Sequence, residues 1–124
     1  MLEIILFTGV LMLVHLTLPS TLALVSGAVD LNHLAGPRDE AIDLGVVGAR
    51  AKRAAGNLLE SLPVFLTLAV LSIMANAQTM ELAAIWLGLR IAYLVVYMAG
   101  INHVRTLVWF TSVICLIMMG IELV

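Results

Sequence analysis

Four polar residues recur at gaps of three or four along one stretch of the chain: Arg50, Arg53, Asn57 and Glu60. In an α-helix such gaps return to the same face, so the four side chains form one stripe. Guanidinium groups bind carboxylates through paired hydrogen bonds, and a carboxylate accepts hydrogen bonds from an ammonium group. The stripe therefore predicts a site for a small polar ligand that carries both carboxylate and amine groups.

Arg90, Tyr93 and Tyr97 form a second stripe with the same spacing. A short turn joins the two segments, so they must be antiparallel, and three pairs are expected at equal depth: Glu60 with Arg90, Asn57 with Tyr93, and Arg53 with Tyr97. The deepest pair is expected to be an ion pair, because a single buried charge in a membrane is costly. Such a pair either fixes the helix register or contributes to the ligand site.

The composition of the whole chain is that of a membrane protein. Of its 124 residues, 63% are hydrophobic and 11% charged, and the mean hydropathy is +1.15. A net charge of −2 with six Lys and Arg excludes a nucleic-acid-binding protein, which needs a basic face. Three dispersed histidines and a single cysteine predict neither a metal site nor an intrachain disulfide.

Four apolar segments approach the ~20 residues that a helix needs to cross the hydrocarbon core. The fold class predicted is an all-α integral membrane protein, one domain over residues 1–124, built as a four-transmembrane-helix bundle. The helices are expected at residues 2–29, 46–76, 80–100 and 104–124, with a bend at Pro19. Residues 30–45 contain Gly36-Pro37 and acidic residues, and predict an exposed loop.

Basic residues predict the orientation of the bundle. Positively charged loops stay in the cytoplasm, and the first loop and the start of the last span carry Arg38, Arg50, Lys52, Arg53 and Arg105. Lys52 lies off the binding stripe and is interpreted as a membrane anchor. The opposite side carries Glu3, Glu81 and Glu122 and no basic residue. Both termini are therefore expected on the non-cytoplasmic side, and the predicted ligand site opens to the cytoplasm.

Several aromatic and histidine side chains have simpler interpretations. Trp86, Trp109 and Phe110 are expected to be lipid-facing bulk, and His15 and His103 to make packing or headgroup contacts. The two tyrosines of the second stripe are also consistent with an interfacial belt, where tyrosine is enriched.

Two motifs resemble signatures of a known family. The run from Arg50 to Phe65, Arg-x-x-Arg-Ala-x-x-Asn-x-x-Glu-x-x-Pro-x-Phe, resembles the second-helix signature of the MAPEG family, the membrane-associated proteins in eicosanoid and glutathione metabolism. Arg90-x-x-Tyr93-x-x-x-Tyr97, followed by Arg105, resembles the same family. Residues 99–110 look like the corresponding stretch of its short bacterial members, which implies a bacterial inner membrane.

The resemblance implies a homotrimer of four-helix subunits that binds glutathione between subunits and takes a hydrophobic small-molecule substrate from the membrane lipids. Arg105 would stabilise the glutathione thiolate and so act in catalysis. Positions that match the family's glutathione site, together with a buried third-helix arginine, are Arg53, Asn57, Glu60, Arg90, Tyr93, Tyr97 and Arg105.

Two positions depart from the pattern of prostaglandin E synthase-like members, which have arginine where this chain has Gly56 and histidine where it has Tyr93. Three functions therefore stay open at this point. They are a glutathione-dependent transferase or peroxidase acting on a hydrophobic electrophile, a non-catalytic lipid-binding protein, and an accessory subunit of a larger membrane complex.

Overall fold

The computed structural model describes residues 1–37, 39 and 43–124. These residues form five helices: α1 (Leu2–Val25), α2 (Leu31–Ala35), α3 (Gly45–Ala75), α4 (Met80–Ala99) and α5 (Asn102–Ile121). Within the described residues, α1, α3, α4 and α5 are long and apolar enough to cross a membrane. The four predicted membrane-length helices are thus present, and each end lies within four residues of its predicted position. Arg38, used for the predicted orientation, lies outside the described residues.

Consecutive spans cross the bundle in opposite directions. The connection at residues 26–44 and the turn at residues 100–101 therefore lie at one end, which we call the loop end. Both termini and the turn at residues 76–79 lie at the other end, the terminal end. α1 packs mainly on α3, while α4 packs on both α5 and α3.

The first connection is more ordered than a plain loop. It contains α2, whose N-cap residue Asp30 accepts a hydrogen bond from the backbone N–H of His33 at 2.7 Å. Aspartate is among the preferred N-cap residues because its carboxylate satisfies a free backbone donor of the first turn. The prediction of a loop over residues 30–45 is therefore wrong for residues 31–35, which are helical, although none of them is buried.

An aromatic pair joins α3 to α4 in the core. The rings of Phe65 and Trp86 are stacked, with centroids 4.0 Å apart and planes 6° apart, and both side chains are fully buried. The expectation that Trp86 faces lipid is wrong, because the ring fills the space between the two helices. Phe110 is exposed, as expected of lipid-facing bulk.

Three buried hydroxyl side chains inside the spans are satisfied within their own helices. Thr8, Ser72 and Ser112 each donate to a backbone carbonyl three or four residues earlier, at 2.7–2.8 Å. This local bonding lets polar residues sit in an apolar helix without a partner from another helix.

Arg50 lies against the end of α4. Gly100 ends that helix in the left-handed conformation, with φ of 78°. The guanidinium of Arg50 packs on it and donates from Nη1 to the carbonyl oxygen of Met98 at 3.2 Å. A cation is favourable at a helix C-terminus, where unpaired carbonyls carry partial negative charge. Arg50, predicted to belong to the ligand-binding stripe, therefore caps α4.

Candidate functional site

A cavity of about 330 Å³ opens at the loop end between α3, α4 and α5. We call it the funnel. Four of the residues predicted for the ligand site line it, from three different helices. The full lining is Asn57, Tyr93, Tyr97, Arg105, Thr106 and Trp109.

Tyr97 lies between two arginines at the funnel. Arg53 donates from Nε to the phenolic oxygen of Tyr97 at 3.2 Å, which confirms the predicted equal depth of these two residues. The guanidinium carbon of Arg105 lies 4.5 Å from the centroid of the same ring. An arginine in this position is attracted by the electron density of the ring face. The ring therefore holds both cations beside the funnel.

Arg90 is almost fully buried, with 1% of its surface exposed. Its Nη2 donates to Oδ1 of Asn57 at 2.7 Å, and its guanidinium carbon lies 4.7 Å from the centroid of the Tyr93 ring. The Nε and Nη1 atoms are buried and have no partner among the described residues. Arg90 thus touches two funnel residues without lining the funnel itself.

The expected ion pair between Glu60 and Arg90 is wrong. Glu60 is exposed and makes no ion pair with Arg90. The amide oxygen of Asn57 satisfies one guanidinium N–H without the removal of a second charge from solvent, whereas burying the carboxylate as well adds another desolvation penalty. The predicted register therefore agrees with the contact between Arg53 and Tyr97, whereas the predicted pairing of Glu60 with Arg90, two turns deeper, is wrong.

The polarity of the funnel follows from these contacts. Because Oδ1 of Asn57 is occupied by Arg90, its NH₂ group is left as the donor. Because the oxygen of Tyr97 accepts from Arg53, its own O–H is available to donate elsewhere. Among the described residues, no carboxylate lines the funnel. The arrangement is therefore rich in donors and positive charge, which suits an anionic ligand.

The structure brings together most, but not all, of the predicted site residues. Arg53 and Arg90 contact lining residues, whereas Glu60 is not part of the lining. Thr106 and Trp109 were missed, although Trp109 follows Arg105 by four residues and so shares its helix face. The expectation that Trp109 is lipid-facing bulk is wrong, because its half-buried side chain lines the funnel.

Gly56 does not face the funnel. It lines a separate cavity between α1 and α3, together with residues of the first connection. A side chain at this position points away from the funnel of its own subunit. An effect of residue 56 on a ligand in the funnel would have to come from a neighbouring subunit.

Comparison with known proteins agrees with the architecture and the motifs. The model of the MAPEG family matches residues 1–124, the whole chain. No curated protein and no solved structure gives a significant match. Four membrane-length apolar helices together with this match make the protein an integral membrane protein. The chain belongs to the MAPEG family.

Proposed function

We propose that the funnel binds glutathione and that the protein is a membrane-embedded glutathione-dependent transferase or peroxidase acting on a hydrophobic electrophile. The observation that carries this proposal is the pair of arginines on Tyr97, beside an Asn57 whose amide NH₂ is left as a donor. Glutathione offers two carboxylates and a thiol to such a set of donors. Membership of a glutathione-associated family supports the same conclusion.

Four residues in or beside the funnel contact the ligand in this proposal. Arg53 and the Asn57 amide hold carboxylates of the ligand, because charge-assisted hydrogen bonds are the stronger ones. Arg105 and the Tyr97 hydroxyl stabilise the thiolate, as nearby positive charge does for a reactive cysteine. Arg90, which does not line the funnel, holds the Asn57 side chain in place through its hydrogen bond to the amide oxygen. The protein supplies no nucleophile of its own, since the sulfur belongs to the cosubstrate.

Two reactions fit a bound thiolate. In transfer, the sulfur forms a bond to an electrophilic carbon, and the displaced group leaves with the bonding electron pair and takes a proton. In peroxide reduction, the sulfur attacks the terminal oxygen of a lipid hydroperoxide, which gives a lipid alcohol and the sulfenic acid of glutathione. A second glutathione then forms the disulfide and releases water. Both reactions take a hydrophobic partner from the bilayer.

The binding test is calorimetry with glutathione on detergent-purified protein. Arg105→Gln should weaken binding roughly 10- to 100-fold, because a hydrogen bond to a charged group contributes about 1.5–3 kcal/mol. His103→Gln, an exposed position on the same helix outside the funnel, is the matched control and should bind normally. S-methylglutathione, which cannot form a thiolate, should lose most of its dependence on Arg105.

A negative result has a definite meaning. If the protein does not bind glutathione at millimolar concentration, the arginines of the funnel have a structural role. The lipid-binding or accessory-subunit function then replaces the enzymatic one.

We also propose that the functional unit is a homotrimer with the loop end in the cytoplasm. In such a trimer the exposed Glu60, three residues from Asn57 on α3, would face a neighbouring subunit rather than lipid. An isolated carboxylate that faces lipid is costly. The basic residues Arg50, Lys52 and Arg53 at the start of α3 support the cytoplasmic position of the loop end.

A further inference from the structure

Two buried polar side chains, His15 of α1 and Arg90 of α4, lie on helices that are in contact with each other. Each residue is only 1% exposed. The positive charge of Arg90 acts electrostatically on the His15 ring, so the two side chains lie in the same part of the interior. The function proposed for the funnel uses Arg90 but gives His15 no part.

Both side chains have unused hydrogen-bonding atoms. Nε and Nη1 of Arg90 and Nε2 of His15 are buried and have no partner among the described residues. The two Arg90 atoms are N–H donors, since a guanidinium has no acceptor. A buried donor or acceptor that is left unpaired costs about 1–3 kcal/mol. Three such atoms in one part of the bundle therefore indicate a ligand between these side chains.

His15 contributes a hydrogen-bond acceptor. Its Nδ1 lies 2.8 Å from the carbonyl oxygen of Leu11. A carbonyl oxygen only accepts, so Nδ1 carries a proton and donates. A second proton on the ring would place another charge near Arg90 in the membrane interior, which is costly. The ring is therefore neutral, and Nε2 is left as an acceptor in the same region as the donors of Arg90.

Water is the small molecule that satisfies both side chains. Its oxygen accepts from an N–H of Arg90, and one of its hydrogens donates to Nε2 of His15. An inorganic anion would pair with Arg90 but would meet the lone pair of Nε2, and a hydrocarbon chain would satisfy neither group. Buried waters usually make about three hydrogen bonds to otherwise unpaired groups. His15 also lines the cavity of about 560 Å³ between α1 and α3, which is partly open to the outside, so water has a path to the residue.

We propose that a buried water joins Arg90 to His15 and that His15 is a positioning residue of the funnel. The connection runs from His15 through the water to Arg90, and from Nη2 of Arg90 to Oδ1 of Asn57 at 2.7 Å. Of these three residues, Asn57 lines the funnel. The effect on glutathione rests on the function proposed for the funnel, whereas the water and the orientation of Asn57 are measured without any ligand.

A second anchor matters for Arg90 because its guanidinium group is planar and rigid. A hydrogen bond at Nη2 alone leaves the plane free to turn about that bond, although the Tyr93 ring, 4.7 Å from the guanidinium carbon, limits the tilt. A bond from Nε or Nη1 to the water fixes the plane, and with it the direction of the N–H that holds Asn57. None of the described residues of α1 lines the funnel, yet His15 then controls the donor that Asn57 presents there.

The first experiment is ¹⁵N NMR of the ligand-free protein in phosphatidylcholine nanodiscs, with label in the histidine rings. The signals of His15 are assigned by their loss in His15→Leu. We expect a protonated Nδ1, and an Nε2 that accepts a hydrogen bond from a proton with the chemical shift of water. Arg90→Met removes the other partner of the water and should move Nε2 toward the shift of a free imidazole nitrogen. Tyr97→Phe, which removes a funnel hydroxyl and keeps Arg90, should leave Nε2 unchanged.

The second experiment follows the side-chain NH₂ signal of Asn57 and, separately, the affinity for glutathione. His15→Leu removes the acceptor, so it should shift or broaden the Asn57 signal and weaken glutathione binding about fivefold, the effect of one neutral hydrogen bond. His15→Gln keeps an acceptor and should retain both properties. Thr8→Val is the matched control, because Thr8 is also buried on α1 but donates to the carbonyl oxygen of Ile4 in its own helix. It should change neither property.

Several results would overturn the proposal. An Nε2 without a hydrogen bond in the unmodified protein excludes the water, and so does a ring that is protonated at both nitrogens. A proton of Arg90 in contact with Nε2 would show a direct bond in place of the water. An unchanged Asn57 signal in His15→Leu, or an equal change in Thr8→Val, removes the positioning role. If the unmodified protein binds no glutathione, the function proposed for the funnel fails, while the ligand-free spectra still decide the water and the orientation of Asn57.

Discussion

Arg90 fixes the orientation of Asn57. The guanidinium reaches across from α4 to α3 and occupies the amide oxygen at 2.7 Å, while two of its own nitrogens stay buried without a partner among the described residues. A charge buried with so few bonds contributes little to stability or opposes it. Its benefit is therefore expected in ligand binding rather than in folding.

Arg90→Met should separate these two effects. The free energy of unfolding should stay within about 1 kcal/mol of the unmodified value or rise, because the lost hydrogen bond is offset by the removal of an unpaired buried charge. Glutathione affinity should fall about tenfold, since the Asn57 amide loses its fixed orientation. Arg90→Gln keeps a donor and should retain most of the affinity.

Calorimetry and denaturant unfolding in detergent measure the two quantities. A loss of roughly 3–5 kcal/mol of stability in Arg90→Met would contradict the prediction. It would mean that a counter-charge contributed by the assembly pairs with Arg90.

Gly100→Ala should destabilise the protein by about 1–3 kcal/mol, because an L residue is strained at φ of 78° and its Cβ would lie 2.8 Å from Nη1 of Arg50. Gly88→Ala is the matched control. It lies inside α4, where an added methyl group would meet open space, and should be neutral or slightly stabilising. The melting temperatures of both variants are the measurement. Equal melting temperatures would show that the packing of Arg50 on the end of α4 does not require a glycine at residue 100.

Phe65→Ala should destabilise the bundle by about 3–5 kcal/mol, since it empties a fully buried site and removes the stacked partner of Trp86. Phe110→Ala removes the same side chain from an exposed position, where the ring contacts Trp109 edge to face, and should cost only about 0.5–1.5 kcal/mol. Denaturant titration of the two variants compares them directly. Similar losses would place the ring of Phe110 in a contact between subunits.

Reporter fusions at Val124 should show a non-cytoplasmic C-terminus, because the basic residues at the start of α3 belong to the loop end. A fusion within residues 26–37 should report the opposite side. Cytoplasmic activity of the Val124 fusion would put the funnel on the side of the membrane away from cellular glutathione.

Native mass measurement in mild detergent should give three copies of the chain. The exposed Glu60 on a membrane helix needs a polar neighbour, and a second subunit can provide one. Glu60→Gln should weaken the assembly less than Glu60→Leu, since the amide still accepts and donates hydrogen bonds. A stable monomer would exclude a site shared between subunits.

The spans and part of the site were predictable from the sequence for simple reasons. Length and apolarity set the four long helices, and the gaps of three and four set the stripe that brings Arg53 to Tyr97. The N-cap role of Asp30 was not predicted, because the Gly36-Pro37 pair that follows suggested only a loop.

The predictions that failed concern the direction in which a side chain faces and the residues against which it packs. Trp86 precedes Arg90 by four residues and so shares the face of the polar stripe on α4, but its largely apolar ring by itself does not distinguish a core-facing from a lipid-facing position. Arg90 pairs with Asn57 rather than Glu60, because burying a carboxylate beside the guanidinium would add a second desolvation penalty. A comparison of depths along two helices does not include this penalty. The cavity between α1 and α3 is formed by three separate segments, and its existence requires their packing.

The length of α3 places the funnel at a boundary between two solvents. Its 31 residues extend about 46 Å at ~1.5 Å per residue, against about 30 Å of hydrocarbon, so its first turns project into the headgroups and water. Under the proposed function, glutathione arrives by diffusion in water and the apolar reactant by lateral diffusion in the bilayer. The relevant concentration of the second reactant is then its mole fraction in lipid. Added inert lipid would slow the reaction at constant total substrate, as solvent does when it dilutes a solute.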